Sequence, residues 1–445
     1  MTPLCFVLMP FGRKRDDGGR EIHFDRVYRE LIAPAITAAG LEPIRADEEG
    51  GGGIIHKTMF ERLMLCDYAV ADLTTANANV FYELGIRHGI RPHSTVPIFG
   101  EGTRLPFDVA LLNGLSYGLD ASGQPTEVAR HRATLTQRLK DCRGQTSDSP
   151  VFQLVSDFPP PDIARLKTDV FRDRVHAAKE CKDRLAAARK AGAAAVAAVE
   201  AGLTSIVDTD PAVVVDLFLS YRAVKDWQRM VDLEPKMAPE LRRATMLREQ
   251  LGLALNRLGR GDEALAVLET LIAERGPSSE TNGILGRVYK DRWEAAVKAG
   301  DSVVARGLLR KAIATYLQGF EADWRDAYPG INAVTLMELA DQPDPRQARL
   351  LPVVRYAVER RLARKAPDYW DYATLLELAV LAEDQPEAET ALGDAVAAIR
   401  EPFEPETTAR NLRLIREARH RRGAAAAWIE EMEKALAQAA ARQKP

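Results

Sequence analysis

The sequence contains few of the residues that build disulfide frameworks and zinc sites. Its 445 residues include four cysteines and seven histidines, and these are scattered without a CxxC pair or an HExxH motif. Such spacing excludes the usual cysteine frameworks and zinc motifs. We therefore expect no bound metal, no cofactor and a reducing, cytoplasmic environment.

Strong net charge and long apolar runs are also missing. A formal net charge of −3 at pH 7 gives no general attraction toward nucleic acid or an anionic membrane. No apolar stretch approaches the roughly 20 residues that a membrane-spanning helix needs. The first residues, MTPLCFVLMPFG, lack a basic leader and a small-residue cleavage site, which favours a strand. These absences predict a soluble protein that binds neither membranes nor nucleic acids.

The first 120 residues alternate between strand-like and helix-like segments. The strand-like segments are LCFVLM, LEPIRA, YAVADL, TVPIF and GLSYGL, and helical segments separate the first four. This alternation predicts an α/β domain, residues 1–120, with a parallel sheet covered on both faces. Ligands of such sheets bind at the carboxyl ends of the strands.

The rest of the chain divides into a connector and a helical region. Residues 121–165 contain a helical segment followed by a stretch that Ser and Pro interrupt. Residues 166–445 are rich in Ala, Leu, Arg and Glu, and Leu251–Gly252 recurs as Leu285–Gly286, 34 residues later. This period is typical of tetratricopeptide repeats, so we predict an all-α solenoid.

Polar residues cluster where the segment YAVADL gives way to the next helix. Asp72 ends the strand, and Asn77 or Asn79 can cap the helix, because an Asn side chain accepts hydrogen bonds from the free amides of the first turn. Glu83 then points from an early turn toward the mouth of the sheet. The positive end of the helix dipole favours an ionised carboxylate there, which suits a nucleophile.

The N-terminal third resembles the nucleoside 2-deoxyribosyltransferase-like family, whose fold is close to TIR and flavodoxin-like domains. The segments LMPFG, CDYAVADLT and NANVFYELG carry the resemblance. It implies that Glu83 attacks the anomeric carbon of a nucleoside and that Asp72 contacts the sugar. The substrate-binding candidates at the same sheet edge are Pro10, Phe11, Gly12, Asn77 and Asn79. The family pattern has an acid where Asn77 stands, and helix capping is the alternative role of both asparagines.

Two other stretches near this edge have the composition of loops. EEGGGGIIHKT has four glycines before Lys57, but a Walker loop requires Gly where His56 stands. We therefore favour a flexible lid over a phosphate-binding loop. GRKRDDGGRE, which follows the first strand, is interpreted as a solvated loop.

The C-terminal half resembles the regulatory tetratricopeptide region of apoptosis signal-regulating kinases, also called a TRAFs-binding domain, and its bacterial relatives. The segments GILGRVYKDRW, DWRDAYPGINAVTLMEL, DYWDYATLLELAVL and TTARNLRLI carry this resemblance. The chain lacks a kinase Gly-rich loop, a VAIK lysine and an HRD loop. The combination of the two halves resembles nucleotide-signalling modules of bacterial stress or conflict systems.

The same helical region contains candidate binding residues. Arg287 and Lys290 fall on one helix face by their spacing, and Arg325 and Tyr328 lie near a turn. Because solenoids bind ligands on a concave face, we predict that these four residues bind a nucleotide signal or a protein partner. A solvated surface is the alternative interpretation.

Two functions remain open at the level of the sequence. The first is an N-glycosidase or glycosyltransferase that acts on a nucleoside, a nucleotide or NAD through Glu83 and Asp72, with the solenoid as its regulator. The second is a non-catalytic signalling scaffold that binds a nucleotide and recruits protein partners. Homo-oligomerisation is compatible with both.

Overall fold

The structure of the protein is a computed structural model. The residues that it describes are 2–16, 19–45, 56–110, 112–142, 148–155, 158–159, 161, 168–342, 344–363, 367–424 and 427–442. The chain forms two compact units, Met1–Ala244 and Thr245–Pro445, which we call unit one and unit two. The glycines of the predicted lid, residues 50–53, lie outside the described residues.

Unit one is built around a parallel sheet. In chain order its strands are β1 (Leu4–Leu8), β2 (Arg13–Arg15), β3 (Glu21–His23), β4 (Glu42–Arg45), β5 (Tyr68–Asp72), β6 (Thr95–Gly100) and β7 (Leu115–Tyr117). A five-stranded sheet has the order β4-β1-β5-β6-β7, and each neighbouring pair is parallel. The predicted parallel sheet is therefore confirmed, and its carboxyl edge includes Arg45 and Asp72.

Helices cover both faces of this sheet. In chain order they are α1 (Phe24–Val27), a π-helical turn (Tyr28–Ile32), α2 (Ala33–Ala38), α3 (His56–Leu65), α4 (Ala78–Ile90), α5 (Phe107–Ala110), α6 (Val128–Asp141) and α7 (Pro150–Leu154). Val7 of β1 belongs to the same core as Leu135 of α6, whereas Phe6 belongs to the opposite core with Leu84 of α4. Successive strand residues point to opposite faces, so both faces of the sheet are buried.

The stretch interpreted as a solvated loop forms an antiparallel hairpin instead. Strand β2 pairs with strand β3, and Arg13 lies opposite His23. The residues of β2 are exposed, whereas Ile22 of β3 is fully buried. The loop interpretation is wrong. Charged side chains dominate the stretch and suggested a loop, whereas the buried Ile22 of β3 anchors the two strands.

Parts of the predicted connector, residues 121–165, pack against the sheet and helices that precede it within unit one. Leu135 and Leu139 of α6 lie in the core on one face of the sheet. The buried Ser149 hydroxyl donates a hydrogen bond to the His88 carbonyl at 2.7 Å. Unit one also extends through the first predicted solenoid residues to Ala244. The division into residues 1–120, 121–165 and 166–445 stays a prediction.

The remaining described residues are mainly helical. In unit one the helices are α8 (Thr168–Ala191), α9 (Ala193–Ala201), α10 (Pro211–Ala223), α11 (Trp227–Leu233) and α12 (Pro239–Arg242). In unit two they are α13 (Thr245–Arg257), α14 (Gly261–Arg275), α15 (Ser279–Lys298), α16 (Ser302–Ala322), α17 (Ala327–Glu338), α18 (Gln347–Leu362), α19 (Tyr369–Leu381), α20 (Gln385–Ala397), α21 (Phe403–Arg421) and α22 (Ala427–Arg442). Across the described ranges, no helix has the length and apolar character to cross a bilayer.

Two glycines explain the repeat pattern of unit two. A Cβ atom at Gly252 would lie 2.7 Å from Leu268 Cγ, and one at Gly286 would lie 2.7 Å from Tyr316 Cγ. A larger residue does not fit at these distances, so each glycine lets the next helix approach closely. The prediction of an all-α second region of paired helices is confirmed.

Candidate functional site

Asp72 lies at the carboxyl end of β5, and its carboxylate is held on both oxygens by neighbouring residues. The Thr74 amide donates to Oδ1 at 3.0 Å, and the Thr74 hydroxyl donates to the same oxygen. The Tyr117 hydroxyl donates to Oδ2 at 2.9 Å. Thr74 in turn accepts from the Gly100 amide at 2.9 Å, so the network joins the ends of three neighbouring strands.

This network changes the interpretation of Asp72. The residue is 0% exposed, so its carboxylate is bonded within the protein. Burial raises its pKa to about 6, while the hydrogen bonds from Thr74 and Tyr117 lower it. Asp72 thus holds Thr74 and Tyr117 in place, and its predicted contact with a sugar stays a prediction. Sequence reasoning missed both partners, although a Thr two residues after an Asp is a common local hydrogen-bonding pattern.

Glu83 has a different environment. It lies in the second turn of α4 and is partly buried, and no hydrogen bond or ion pair reaches it from the described residues. Burial raises its pKa to about 7, which contradicts the expectation that the helix dipole keeps it ionised. The dipole effect falls off beyond the first turn, so loss of solvation dominates. A carboxyl group with this pKa exchanges protons readily at neutral pH.

The two asparagines have separate roles. Asn77 is the N-cap of α4, and its side-chain oxygen accepts from the Asn79 amide at 2.9 Å and the Val80 amide at 3.3 Å. The predicted cap is therefore confirmed at Asn77. The Asn79 side chain is exposed and contributes only its backbone amide to this arrangement. Substrate binding by either side chain stays a prediction.

The turn after β1 is held by a pair of charged residues. Gly12 has a positive φ of 64°, and its amide donates to Asp25 Oδ1 at 3.2 Å. Arg45 contacts the same Asp25 oxygen at 3.1 Å. The Arg45 guanidinium lies 4.3 Å from the centre of the Tyr28 ring and 5.8 Å from that of the exposed Phe11 ring. Arg45 ends β4 at the carboxyl edge of the sheet. Its position at the end of a predicted strand is the sequence signal that could have identified this residue.

The sheet gathers some of the predicted site residues and separates others. Pro10, which is buried, follows β1, and Asp72 ends the neighbouring strand β5, so both lie at the carboxyl edge. Asp72 follows Val70 on one face of the sheet, whereas the helix of Glu83 packs Leu84 into the core of the other face. Among the described residues, no hydrogen bond joins Asp72 to Glu83.

Lys290 is buried and does not belong to a cationic surface. It is 3% exposed, and its ammonium donates to Asn411 Oδ1 at 3.2 Å. The Asn411 amide donates to Glu377 Oε1 at 2.8 Å, which extends the network. Burial lowers the pKa of Lys290 to about 8. Helical spacing places residues on one face without showing what covers that face, and ligand or partner binding by Lys290 stays a prediction.

The other predicted binding residues of unit two remain at or near the surface. Arg287 is partly exposed, and its Nε lies 2.8 Å from Asp291 Oδ1. Arg325 is 72% exposed and pairs with Asp323 at 2.7 Å. Tyr328 is half-exposed and packs edge-to-face against Tyr316, with ring centres 6.3 Å apart. Partner or ligand binding by these residues stays a prediction.

Unit two also contains a groove that the sequence analysis missed. Its volume is about 990 Å³, and residues of α15, α16 and α21 line it. Trp293 and Leu309 are buried in its floor, whereas Val297 and Val303 are 54% and 71% exposed. The two valines that flank the junction of α15 and α16 are the sequence signal that could have indicated the groove. We call this feature the α15–α21 groove.

Comparison with known families identifies the class of this protein. The family model described as the MAP3K TRAFs-binding domain matches residues 80–434. The match includes most of α4 and all the residues that line the α15–α21 groove. The chain belongs to this family, as the resemblance of its C-terminal half predicted.

Two curated relatives are protein kinases of signalling cascades by name. The chain is 30% identical over 193 residues to mitogen-activated protein kinase kinase kinase nsy-1 of Caenorhabditis elegans, which covers 39% of this chain and 12% of the relative. It is 24% identical over 340 residues to mitogen-activated protein kinase kinase kinase 6 of Homo sapiens, which covers 74% of this chain and 24% of that relative. The chain thus spans a quarter or less of either relative.

Two solved tetratricopeptide repeat proteins are similar over part of the chain. A protein of Thermus thermophilus has a TM-score of 0.34 and 16% identity, covering 45% of this chain and 97% of its own. A protein of Parabacteroides merdae has a TM-score of 0.33 and 13% identity, covering 60% of this chain and 98% of its own.

Proposed function

We propose that this protein is a regulatory signalling scaffold whose unit two binds a protein segment in the α15–α21 groove. Membership of the TRAFs-binding family supports a signalling role, as do the two curated relatives, which are mitogen-activated protein kinase kinase kinases by name. The groove itself carries the proposal. Its exposed Val297 and Val303 continue an apolar floor, and exposed apolar patches of this kind mark interaction sites.

Selection from a displayed peptide library against the full chain tests the proposal. Val297→Asp combined with Val303→Asp places two charges on the apolar wall of the groove, and both positions are exposed, so we expect the fold to persist. Val353→Asp on α18 is the matched control, since Val353 is also exposed but does not line the groove. We expect selected peptides to bind the wild type and the control and to lose binding to the double variant. Equal binding to all three proteins contradicts the proposal.

A second candidate function is an N-glycosidase or glycosyltransferase at the sheet edge, acting on a nucleoside, a nucleotide or NAD. The observation that favours it is Glu83, a partly buried carboxyl group with a pKa of about 7 and no side-chain bonding partner in the described part of the chain. The spatial order of the five parallel strands supports a flavodoxin-like sheet, which binds ligands at the carboxyl ends of its strands. In this proposal Asn77, Phe11 and Gly12 border the substrate.

Incubation of the full chain with NAD and a panel of nucleosides, followed by chromatography for the released base, tests this candidate. Glu83→Gln cannot form a glycosyl ester, so we expect it to release no base while its melting temperature near pH 4.5 stays close to that of the wild type. Glu101→Gln, an exposed glutamate of unit one, is the control. A nucleophile must be ionised, so base release should rise as the pH increases through about 7. Full turnover by Glu83→Gln rules out the assignment.

We also propose a cytoplasmic location and a role in bacterial stress or conflict signalling. The four cysteines are free and buried, which suits a reducing compartment. Fractionation of cells that express the tagged chain checks the location.

A further inference from the structure

We propose that the segment bound by the α15–α21 groove is an acidic amphipathic helix. This inference deepens the proposed scaffold function and rests on it. It adds the charge of the partner, which the apolar floor alone does not define. The observation behind it is the distribution of unpaired charge around the rim of the groove.

Four cations on the rim have no ion-pair partner among the described residues. They are Lys298, Arg306, Arg310 and Arg421, and all four are exposed. The unpaired carboxylates that line the same groove are Asp341 and Glu417. Unpaired positive charge therefore exceeds unpaired negative charge at the rim, although the whole chain has a formal net charge of −3.

Nearby arginines of α21 show that pairing is the usual state in this region. Arg410 pairs with Glu294 across the groove, and Arg416 and Arg419 pair with Glu433 and Glu338. Carboxylates of unit two thus neutralise the arginines that join its helices. The rim cations differ from these in having no such structural partner.

The rim cations are arranged around the apolar surface. Arg306 and Arg310 are one helical turn apart on α16, and Val303 precedes Arg306 by three residues, so they lie along one side of the helix. Lys298 and Arg421 occupy the last turns of α15 and α21, on other walls of the groove. A partner lying on the valines meets positive charge from more than one wall.

An amphipathic helix with acidic side chains fits this arrangement. Its apolar face can bury against Val297, Val303 and the floor residue Leu309, as helices do in other hydrophobic grooves. Its carboxylates can pair with the arginines, whose planar guanidinium groups bind carboxylate in a bidentate manner. Complementary charge also speeds association and selects against basic partners.

Fluorescence anisotropy with the full chain and designed peptides tests the inference. The probe is a labelled helical peptide of about four turns with Leu on one face and Glu on the other. One matched peptide replaces each Glu with Lys, and another replaces each Leu with Ser. We expect binding of the first peptide alone, with an affinity that falls as salt is added.

Charge reversal on the protein provides the second arm. Arg306→Glu combined with Arg310→Glu should weaken binding of the acidic peptide about tenfold or more. Arg349→Glu combined with Arg360→Glu is the control, since both arginines are exposed on α18 outside the groove. Equal binding of the acidic and basic peptides, or undiminished binding by the groove variant, overturns the inference. Competition by a single-stranded DNA oligonucleotide at equal affinity also overturns it, because the rim would then be a general polyanion site.

The outcome separates this inference from the proposed function. Library peptides that require Val297 and Val303 but carry no acidic residues leave the scaffold function intact and remove the acidic partner. Loss of all groove-dependent binding removes both.

Discussion

The carboxyl edge of the sheet in unit one and the α15–α21 groove of unit two use their polar groups in opposite ways. At the sheet edge, Asp72 is fully buried and bonded by Thr74 and Tyr117. In the groove, exposed cations such as Arg306 have no ion-pair partner within the described residues, and they surround exposed valines. Buried polar groups must be satisfied by the protein, whereas exposed ones are available to a ligand.

Glu83 is the exception at the sheet edge. It is partly buried, yet no described residue bonds to it, and its pKa rises to about 7. Position near a sheet edge is therefore insufficient evidence of function, and the bonding state of each polar group must also be known.

The largest effect is expected where the core of unit two is held by a buried ion pair. Glu338 Oε1 lies 2.9 Å from Arg419 Nε, and both side chains are buried. Glu338→Ala leaves the buried Arg419 guanidinium with only the exposed Glu383 carboxylate at 3.7 Å. It also removes the ion-pair partner of Arg422, so the free energy of unfolding should fall by about 3–5 kcal/mol. Urea denaturation of the full chain measures this change. Arg306→Ala is the contrasting variant, and a comparable loss in that protein would show that rim and core cations do not differ.

At the sheet edge, Asp72→Ala should lower the free energy of unfolding by about 1–3 kcal/mol. The substitution leaves the buried Thr74 amide without its acceptor, whereas the Tyr117 hydroxyl keeps the Thr74 hydroxyl at 2.8 Å, and an unsatisfied buried donor costs this much. Thermal or urea unfolding measures the effect. Glu83→Ala removes no bond to a described residue and should cost less, so a larger loss at Glu83 would reverse the proposed contrast.

Loss of the α4 cap should have a smaller effect on stability, and a neighbouring asparagine provides the control. Asn77→Ala removes the acceptor for the Asn79 and Val80 amides, which should destabilise the protein by about 1 kcal/mol. Asn79→Ala changes an exposed side chain two residues away and should leave the unfolding midpoint unchanged. Similar losses in the two variants would argue against the distinction between a structural and an available asparagine.

A further effect at Glu83 depends on pH. The pKa of Glu83 is about 7 in the folded protein, against an ordinary value of 4.5, so the folded chain binds more protons between these values. Its contribution to stability is complete below about pH 4.5 and is lost as the pH rises through about 7. The melting temperature of Glu83→Gln minus that of the wild type should therefore be larger at about pH 8 than at about pH 5. Calorimetry at both values checks this, with Glu101→Gln as the control. An identical difference at both pH values would mean that Glu83 is normally solvated.

Much of the fold follows from local patterns. The alternation of strand and helix predicts the sheet of unit one, and the 34-residue recurrence marks Gly252 and Gly286, where helices approach closely. The Asn77 cap is also a local feature, since it bonds residues only two and three positions away. Short-range hydrogen bonds and side-chain periodicity depend on the neighbouring sequence, so they are readable from it.

Local patterns in the sequence thus predict most of the secondary structure, the family of the C-terminal half and the cap of α4. Which polar groups are available to a ligand or partner depends on the tertiary structure. Tyr117 is 45 residues from Asp72 in the chain, and Asn411 is 121 residues from Lys290. The groove likewise combines α15 and α16 with the distant α21. Periodicity shows which residues share a face, but burial and charge pairing depend on what packs against that face, and distant parts of the chain supply that.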